Sequence, residues 1–198
     1  MSLFIETIRA TKGRLGDLRF HQQRVDETCH AFGGQYKLSL TEKLQQLVIP
    51  TYPISKIRVT YTIQGWQHVE IMPYQIKPIN SLALVHYQNN SYNYKYADRQ
   101  WLNNLKNNVE TDEILLVENG YLKDASYANL ALYNGNNWYT PRQPLLYGTK
   151  RNELVKEGLL LEKEIHVNEL LHYEKIKLIN AMMLWDESPE LLISQIVY

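Results

Sequence analysis

The sequence predicts an α+β fold with mixed sheets, arranged as two lobes, and three observations predict it. β-Branched runs such as Ile57-Arg58-Val59-Thr60-Tyr61-Thr62-Ile63 read as strands and are joined by short turns at Gln64-Gly65 and Asn119-Gly120. Amphipathic stretches with helical spacing are interspersed among them. Pro73 and Pro78 bracket a polar, extended stretch, which places a boundary between residues 1–78, a small N-terminal lobe, and residues 79–198, a larger C-terminal lobe.

The elements follow in order. Phe4 to Arg9 reads as a strand and Lys12-Gly13 as a turn. Phe20 to Phe32 reads as a helix with Val25, Cys29 and Phe32 on one buried face, stopped by Gly33-Gly34. Ser39 to Val48 reads as a second helix, with Ser39 and Glu42 at capping-box spacing. The Ile57 to Ile63 strand returns through Trp66 to Met72 as a hairpin. Leu82 to Tyr87 is a strand, and Asp98 to Leu105 a helix with Trp101, Leu102 and Leu105 on one side. Ile114 to Val117 is a buried strand ended by Asn119-Gly120, a strong hairpin signal. Leu130 to Tyr133 and Trp138 to Tyr139 pair around Gly135. Arg151 to Gly158 is expected to be a helix, Ile165 to Val167 a strand, Asn168 to Leu171 a helical turn and Ile176 to Ile179 a strand. There are no repeats and no low-complexity segments.

Composition narrows the function classes. The 198 residues are 44% hydrophobic, enough for a real core, and 21 basic residues balance 21 acidic ones. No global field draws the chain to nucleic acid or to an anionic membrane. No stretch approaches the ~18 apolar residues of a membrane span, and the N-terminus lacks the pattern of a signal peptide. A cytoplasmic location is the expectation. Cys29 is the single cysteine, which rules out an internal disulfide and a cysteine-built zinc site; no metal is expected.

The chemistry is expected to centre on Lys95, in Tyr92-Asn93-Tyr94-Lys95-Tyr96-Ala97-Asp98-Arg99. An ammonium walled by aromatic rings loses hydration and deprotonates more easily. A neutral lysine amine forms Schiff bases with carbonyl compounds. Downstream come Leu122-Lys123-Asp124-Ala125-Ser126-Tyr127-Ala128-Asn129 and then Gly148-Thr149-Lys150-Arg151, a glycine opening a helix, where free N–H groups suit a phosphate. Upstream lies His21-Gln22-Gln23-Arg24, and near the end Asn180-Ala181-Met182-Met183.

Taken in order, from about Phe4 to Met183, these segments resemble the fold-type IV pyridoxal-phosphate enzymes, the class IV aminotransferases together with 4-amino-4-deoxychorismate lyase. The resemblance implies a D-amino acid aminotransferase-like architecture with the active site between the lobes, pyridoxal 5′-phosphate as cofactor, and a homodimer. It implies that Lys95 is the Schiff-base lysine and that Asp124 stands where the family has a glutamate against the pyridine nitrogen, one methylene shorter. It implies phosphate contacts from Gly148, Thr149, Lys150, Ala181 and Arg24, with Lys150 in place of a threonine. Asn129 is expected to hold the loop, and His21 to be structural. Lys95-Tyr96-Ala97-Asp98-Arg99 is similar to the lyase subgroup's Lys-x-x-Asn-Arg, with Asp98 in the asparagine position, and Asn180-Ala181-Met182-Met183 is similar to its Asn-Ala-Leu-Met.

These two likenesses place 4-amino-4-deoxychorismate lyase, which releases pyruvate and leaves 4-aminobenzoate for folate synthesis, ahead of an amino-acid aminotransferase of branched-chain or D-amino acid type. The implied partner is a small amino substrate bearing carboxylates, for which Arg99, Asn180 and Arg58 are the binding candidates. Relatives carry an extra strand or two before the segment matching Phe4 to Arg9, so a truncated substrate pocket is expected. A non-catalytic relative is the reading from another class, and a plain tyrosine-rich binding domain a third.

Overall fold

The structure, a computed structural model, describes residues 2–35, 37–88 and 92–197. The chain folds as two compact units: Met1–Ile76 together with Tyr94–Asp98, and Lys77–Asn93 together with Arg99–Tyr198. The division falls after Ile76, and residues 94–98 belong with the first unit. The segment carrying Lys95 packs with the first unit, because its backbone bonds to the first strand: Ile5 N–H donates to the Lys95 carbonyl at 2.9 Å and Ala97 N–H to the Leu3 carbonyl at 2.8 Å.

The first unit is an antiparallel sheet in the order β2-β1-β3-β4 with two helices on one face. Its strands are β1 (Phe4–Thr11), β2 (Arg14–Leu15), β3 (Ser55–Thr62) and β4 (Gly65–Pro73), and its helices α1 (Arg19–Ala31) and α2 (Leu40–Gln45). Strand periodicity turns Phe4, Ile8 and Ala10 towards the helices, where they meet Val25, Cys29, Leu40, Leu44, Ile57 and Val59. Each large aliphatic side chain fully withdrawn there contributes about 1.5–3 kcal/mol. Glu6 lies on that same buried face. The β1–β2 turn places Lys12 and Gly13 at positive φ, the geometry a two-residue hairpin needs.

Two expectations are corrected here. Phe32 is α1's C-terminal cap and is 37% exposed rather than part of the buried face; its ring instead packs on Phe4 and Tyr94, with centroids 5.0 and 4.9 Å away. The second helix spans six residues and not ten. Ser39 Oγ accepts from Glu42 N–H at 3.2 Å as a cap should, but Val48 is 93% exposed, so nothing apolar rewards continuing the helix that far.

The second unit holds two sheets, β13-β5-β6-β7 and β10-β9-β8-β11-β12. In chain order the elements are β5 (Leu82–Tyr87), α3 (Gln100–Asn107), β6 (Glu113–Glu118), β7 (Tyr121–Ala125), β8 (Asn129–Tyr133), β9 (Trp138–Pro141), α4 (Thr149–Lys156), β10 (Leu160–Lys163), β11 (Lys175–Ile179), β12 (Glu190–Leu192) and β13 (Ile196–Val197). β5 and β6 pair parallel across the α3 connection, while β6 and β7 form the hairpin expected at Asn119-Gly120, both at positive φ. Mixed pairing in an α+β frame is thus observed. The expected strand at Ile165 to Val167 is not one. His166 makes a single bridge to Tyr121, and Val167–His172 is a 3-10 turn. The strand in that region is β10, which pairs parallel with β9; its outward Leu161 disguised the alternation.

Candidate active site

In the second unit a tight turn brings Asp124 and Asn129 together. Asp124 is near the end of β7 and Asn129 begins β8, and Ala125 N–H donates to the Ala128 carbonyl at 2.8 Å, folding the chain back between them. Asn129 Nδ2 donates to Asp124 Oδ1 at 2.7 Å and to the Leu146 carbonyl at 2.8 Å. Leu146 N–H donates to Asp124 Oδ2 at 2.8 Å. One residue, Leu146, is therefore gripped at its N–H and at its carbonyl by two side chains.

Asp124 is 4% exposed, and its hydrogen bonds, from Asn129 and from the backbone at Leu146 and Leu145, come from uncharged donors. Burial pushes its pKa up to about 7; the bonds from Leu146 and Asn129 and the charge of Arg151 only partly offset this. A buried carboxylate in this state favours a cation close by.

The same asparagine explains the glycine. A Cβ on Gly148 would lie 1.9 Å from Asn129 Oδ1, so only glycine lets the chain pass. Gly148 then caps α4 in an extended conformation, and no side chain caps the helix. The first N–H groups of a helix have no acceptor within it, and here they begin at buried Thr149. The Lys150 charge is paired instead with Glu153, Nζ to Oε2 at 2.9 Å. Arg151 anchors the helix from below. It is 2% exposed and donates to the Pro141 carbonyl at 2.8 Å and Glu162 Oε1 at 2.6 Å.

Arg99 caps α3 and donates through Nη2 to the Ser126 carbonyl. Ser126 is held in turn by Glu113, which accepts from Ser126 N–H at 3.1 Å and Ser126 Oγ at 2.9 Å. Asn180 closes its own turn, accepting from Met182 N–H at 2.8 Å and reaching the Tyr127 carbonyl at 3.4 Å. Ala181 lies within that turn. Arg99, Asn180, Asn129 and Asp124 thus all brace the loop between β7 and β8 or its flanks.

In the first unit Lys95 sits at the centre of a three-residue turn, Tyr96 N–H to the Tyr94 carbonyl at 2.9 Å. Tyr94 and Tyr96 both pack against the apolar core, Tyr96 at 5.3 Å from Phe4 between ring centroids. Arg24 is buried and two of its donors are committed: Nε to Glu6 Oε1 at 2.7 Å and Nη2 to Glu6 Oε2 at 2.6 Å. His21 Nδ1 meets the same carboxylate at 2.6 Å. Burial works to raise the Glu6 pKa, but the Arg24 charge and the bonds from His21 and Arg24 outweigh it and hold it at about 2. Burial lowers the His21 pKa, with the charges of Arg24 and Lys95 adding to that and Glu6 opposing it. Arg58 lies in β3, opposite Thr7 of β1 and Glu70 of β4.

Glu6 is the residue that sequence reasoning missed. The signal was present: in Phe4-Ile5-Glu6-Thr7-Ile8, strand alternation puts the carboxylate on the same face as Phe4 and Ile8. An acid on an apolar face needs a buried cation, and Arg24 supplies it.

Comparison with known proteins adds a family and a frame. The profile of the family described as amino-transferase class IV matches residues 3–186. An uncharacterised protein of Haemophilus influenzae is 30% identical over 181 residues, 89% of this chain and 96% of its own. A crystal structure from Haemophilus somnus, provisionally named a 4-amino-4-deoxychorismate lyase, is 31% identical, with a TM-score of 0.82 over 92% of this chain and 97% of that one. A Mesorhizobium loti structure, provisionally named an amino-acid aminotransferase, shares the fold at 20% identity, with a TM-score of 0.79 over the whole of both chains.

Proposed function

Because the chain belongs to the amino-transferase class IV family, we propose that it uses pyridoxal 5′-phosphate to release pyruvate from 4-amino-4-deoxychorismate and leave 4-aminobenzoate. The observation that carries the choice of reaction is the 31% identity, over nearly all of both chains, to the Haemophilus somnus structure. Amino-acid transamination is the second reading, favoured by the description of the family itself.

The residues present fit such a cofactor at two ends. Asp124 is a buried carboxylate bonded only to neutral donors, which suits a protonated ring nitrogen. The start of α4, stripped of any side chain at Gly148, offers backbone amides to a phosphate. Asn129 touches both ends and keeps them in register. Arg24, fixed by Glu6, is assigned a phosphate contact, and Ala181 a backbone contact. When bound, the cofactor supplies an electron sink for charge developing beside the substrate amine.

The chain's own part is to bind, orient and move protons. Lys95 Nζ would hold the cofactor and would take and return the substrate proton. Its turn is bonded to β1 on one side and packed by two tyrosines, so the amine is presented from a fixed backbone. Asp124 would favour a protonated ring nitrogen, its carboxylate being buried. Arg99 and Asn180 brace the loop that carries Asp124 and are assigned to the substrate side of the site. In this reading the protein works in the cytoplasm as a homodimer, in the synthesis of folate; among the described residues no helix is long and apolar enough to cross a membrane.

The test is direct. Purified protein loaded with pyridoxal phosphate is given 4-amino-4-deoxychorismate and pyruvate is followed; D- and L-amino acids with 2-oxoglutarate are assayed in parallel. Pyruvate release is expected, with the yellow absorption and the activity both lost in Lys95→Ala. Keto-acid exchange without pyruvate release replaces the lyase by the aminotransferase. A wild-type protein that stays colourless overturns both.

A further inference from the structure

Lysine is among the residues least often withdrawn from water, yet Lys177 stands in the middle of β11 and is 8% exposed. Its register neighbours are Ala131 of β8 and Glu190 of β12. Glu190 Oε2 lies 3.2 Å from the Lys177 ammonium, and Glu190 Oε1 lies 3.0 Å from that of Lys175. The carboxylate is thus shared between two cations, and its side chain is 34% exposed. It offsets the burial of Lys177 only in part.

Two indoles complete the surroundings. The ammonium stands over the ring of Trp185, 5.2 Å from its centroid, and over that of Trp138, 5.9 Å away. The two rings meet edge to face, with centroids 5.0 Å apart and planes at 90°. A cation is drawn to the faces of aromatic rings, most strongly to tryptophan and most where water is excluded. Lys177 Nζ also donates to the Trp185 carbonyl at 3.4 Å. Trp185 is therefore held through its ring and through its backbone by one charge.

Trp185 belongs to the segment that joins β11 to β12 and that begins with the turn at Asn180 to Met183. Bonds within the segment are local: Met183 N–H donates to the Asn180 carbonyl at 3.2 Å, Leu184 N–H to Glu187 Oε2 at 2.9 Å and Ser188 Oγ to the Leu184 carbonyl at 3.0 Å. Leu184, Asp186 and Glu187 are exposed. The Trp185 ring, by contrast, packs with Trp138 on the cluster of Ala131, Leu154, Leu160 and Ile179, and Leu154 lies on α4. The start of α4 and the turn at Asn180, the two backbone segments assigned to the phosphate, thus share one packing unit. We propose that Lys177 is a positioning residue: its ammonium, closed in by Trp138 and Trp185, locks residues 180–188 against β9 and α4 and so sets the turn that carries Asn180 and Ala181. The effect on cofactor and substrate rests on the roles assigned to that turn, whereas the lock itself does not.

Hydrogen exchange of residues 180–188, followed by mass spectrometry, tests the lock without cofactor, with the buried amides of β6 as the measure that each variant is folded. Equilibrium dialysis against pyridoxal phosphate tests its effect. Lys177→Met keeps the aliphatic stem and removes the charge. It is expected to speed exchange in 180–188 by about ten-fold, the scale of a cation held against tryptophan away from water, and to weaken pyridoxal phosphate binding by a comparable factor. Trp185→Leu, apolar but without the ring, should do the same, and Lys177→Arg should restore both properties. Lys175→Met, which takes a cation from the same carboxylate and leaves the Lys177 ammonium in place, should change neither. In the loaded enzyme Lys177→Met should raise the KM for 4-amino-4-deoxychorismate more than it lowers kcat, because the turn at Asn180 binds and does not move protons. Exchange that keeps its wild-type rate in Lys177→Met or in Trp185→Leu, or that rises equally in Lys175→Met, overturns the lock. Faster exchange with unchanged cofactor affinity overturns the positioning role. A wild type that binds no cofactor overturns the cofactor reading separately, and the exchange rates still decide the lock.

Discussion

Glu6 is wholly buried, and its carboxylate is held by three charge-assisted contacts from Arg24 and His21. Removing one partner of such a pair leaves the other charge stranded in low dielectric, which costs about 3–5 kcal/mol. Glu6→Gln is therefore expected to lower the free energy of unfolding by about that amount in urea titrations, and to reduce cofactor retention by freeing Arg24. Acid should act in the same direction. The carboxyl is held at about 2 against an ordinary 4.5, so its stabilisation is complete above 4.5 and is lost as pH falls towards 2, about 3 kcal/mol in all. Asp124 has the opposite sign. Its pKa stands near 7 instead of 3.8, so the folded state binds more protons than the unfolded one between those values, and stability falls as pH rises through that window by about 4 kcal/mol. Urea midpoints of the cofactor-free protein should show this slope. In Asp124→Asn the slope should vanish, while an amide facing a donor N–H adds a constant loss of about 1–3 kcal/mol. Cofactor should offset the slope in the wild type, because a cation beside Asp124 stabilises its charged form.

At the scale of elements, the start of α4 is set by packing as well as by its own residues. Helix patterning in the sequence begins at Arg151, but the helix begins at Thr149, because Gly148 is pressed against Asn129 and can serve as the cap. Gly148→Ala should push Asn129 off both Asp124 and Leu146, destabilise the second unit by about 1–3 kcal/mol, and lower affinity for pyridoxal phosphate in equilibrium dialysis. Asn129→Gly should relieve the clash in the double variant without restoring affinity, since the grip on Leu146 is gone. Other elements show where local pattern suffices. Asn119-Gly120 and Lys12-Gly13 each require positive φ, and both turns are where the sequence puts them. The α2 expectation differs from the structure because periodicity reports which residues could be buried, whereas Val48 has no partner layer and stays exposed.

On the scale of the whole molecule, the same fold carries proteins provisionally named lyase and aminotransferase, so the sheets alone do not select a reaction. The sequence by itself determined the α+β class, the order of the strands and turns, and the family, because β-branched runs, helical spacing, turn chemistry and ordered motifs are all properties of near neighbours along the chain. Tertiary structure alone decided which charged groups are spent and which are open. Arg24 finds Glu6 at a separation of 18 residues, Asn129 finds Leu146 at 17, and Arg99 finds Ser126 at 27. It also placed the Tyr94–Asp98 segment, with Lys95, in the first unit. Partnerships across such separations leave no periodic mark in a sequence, since they are set by which faces the packed sheets bring together.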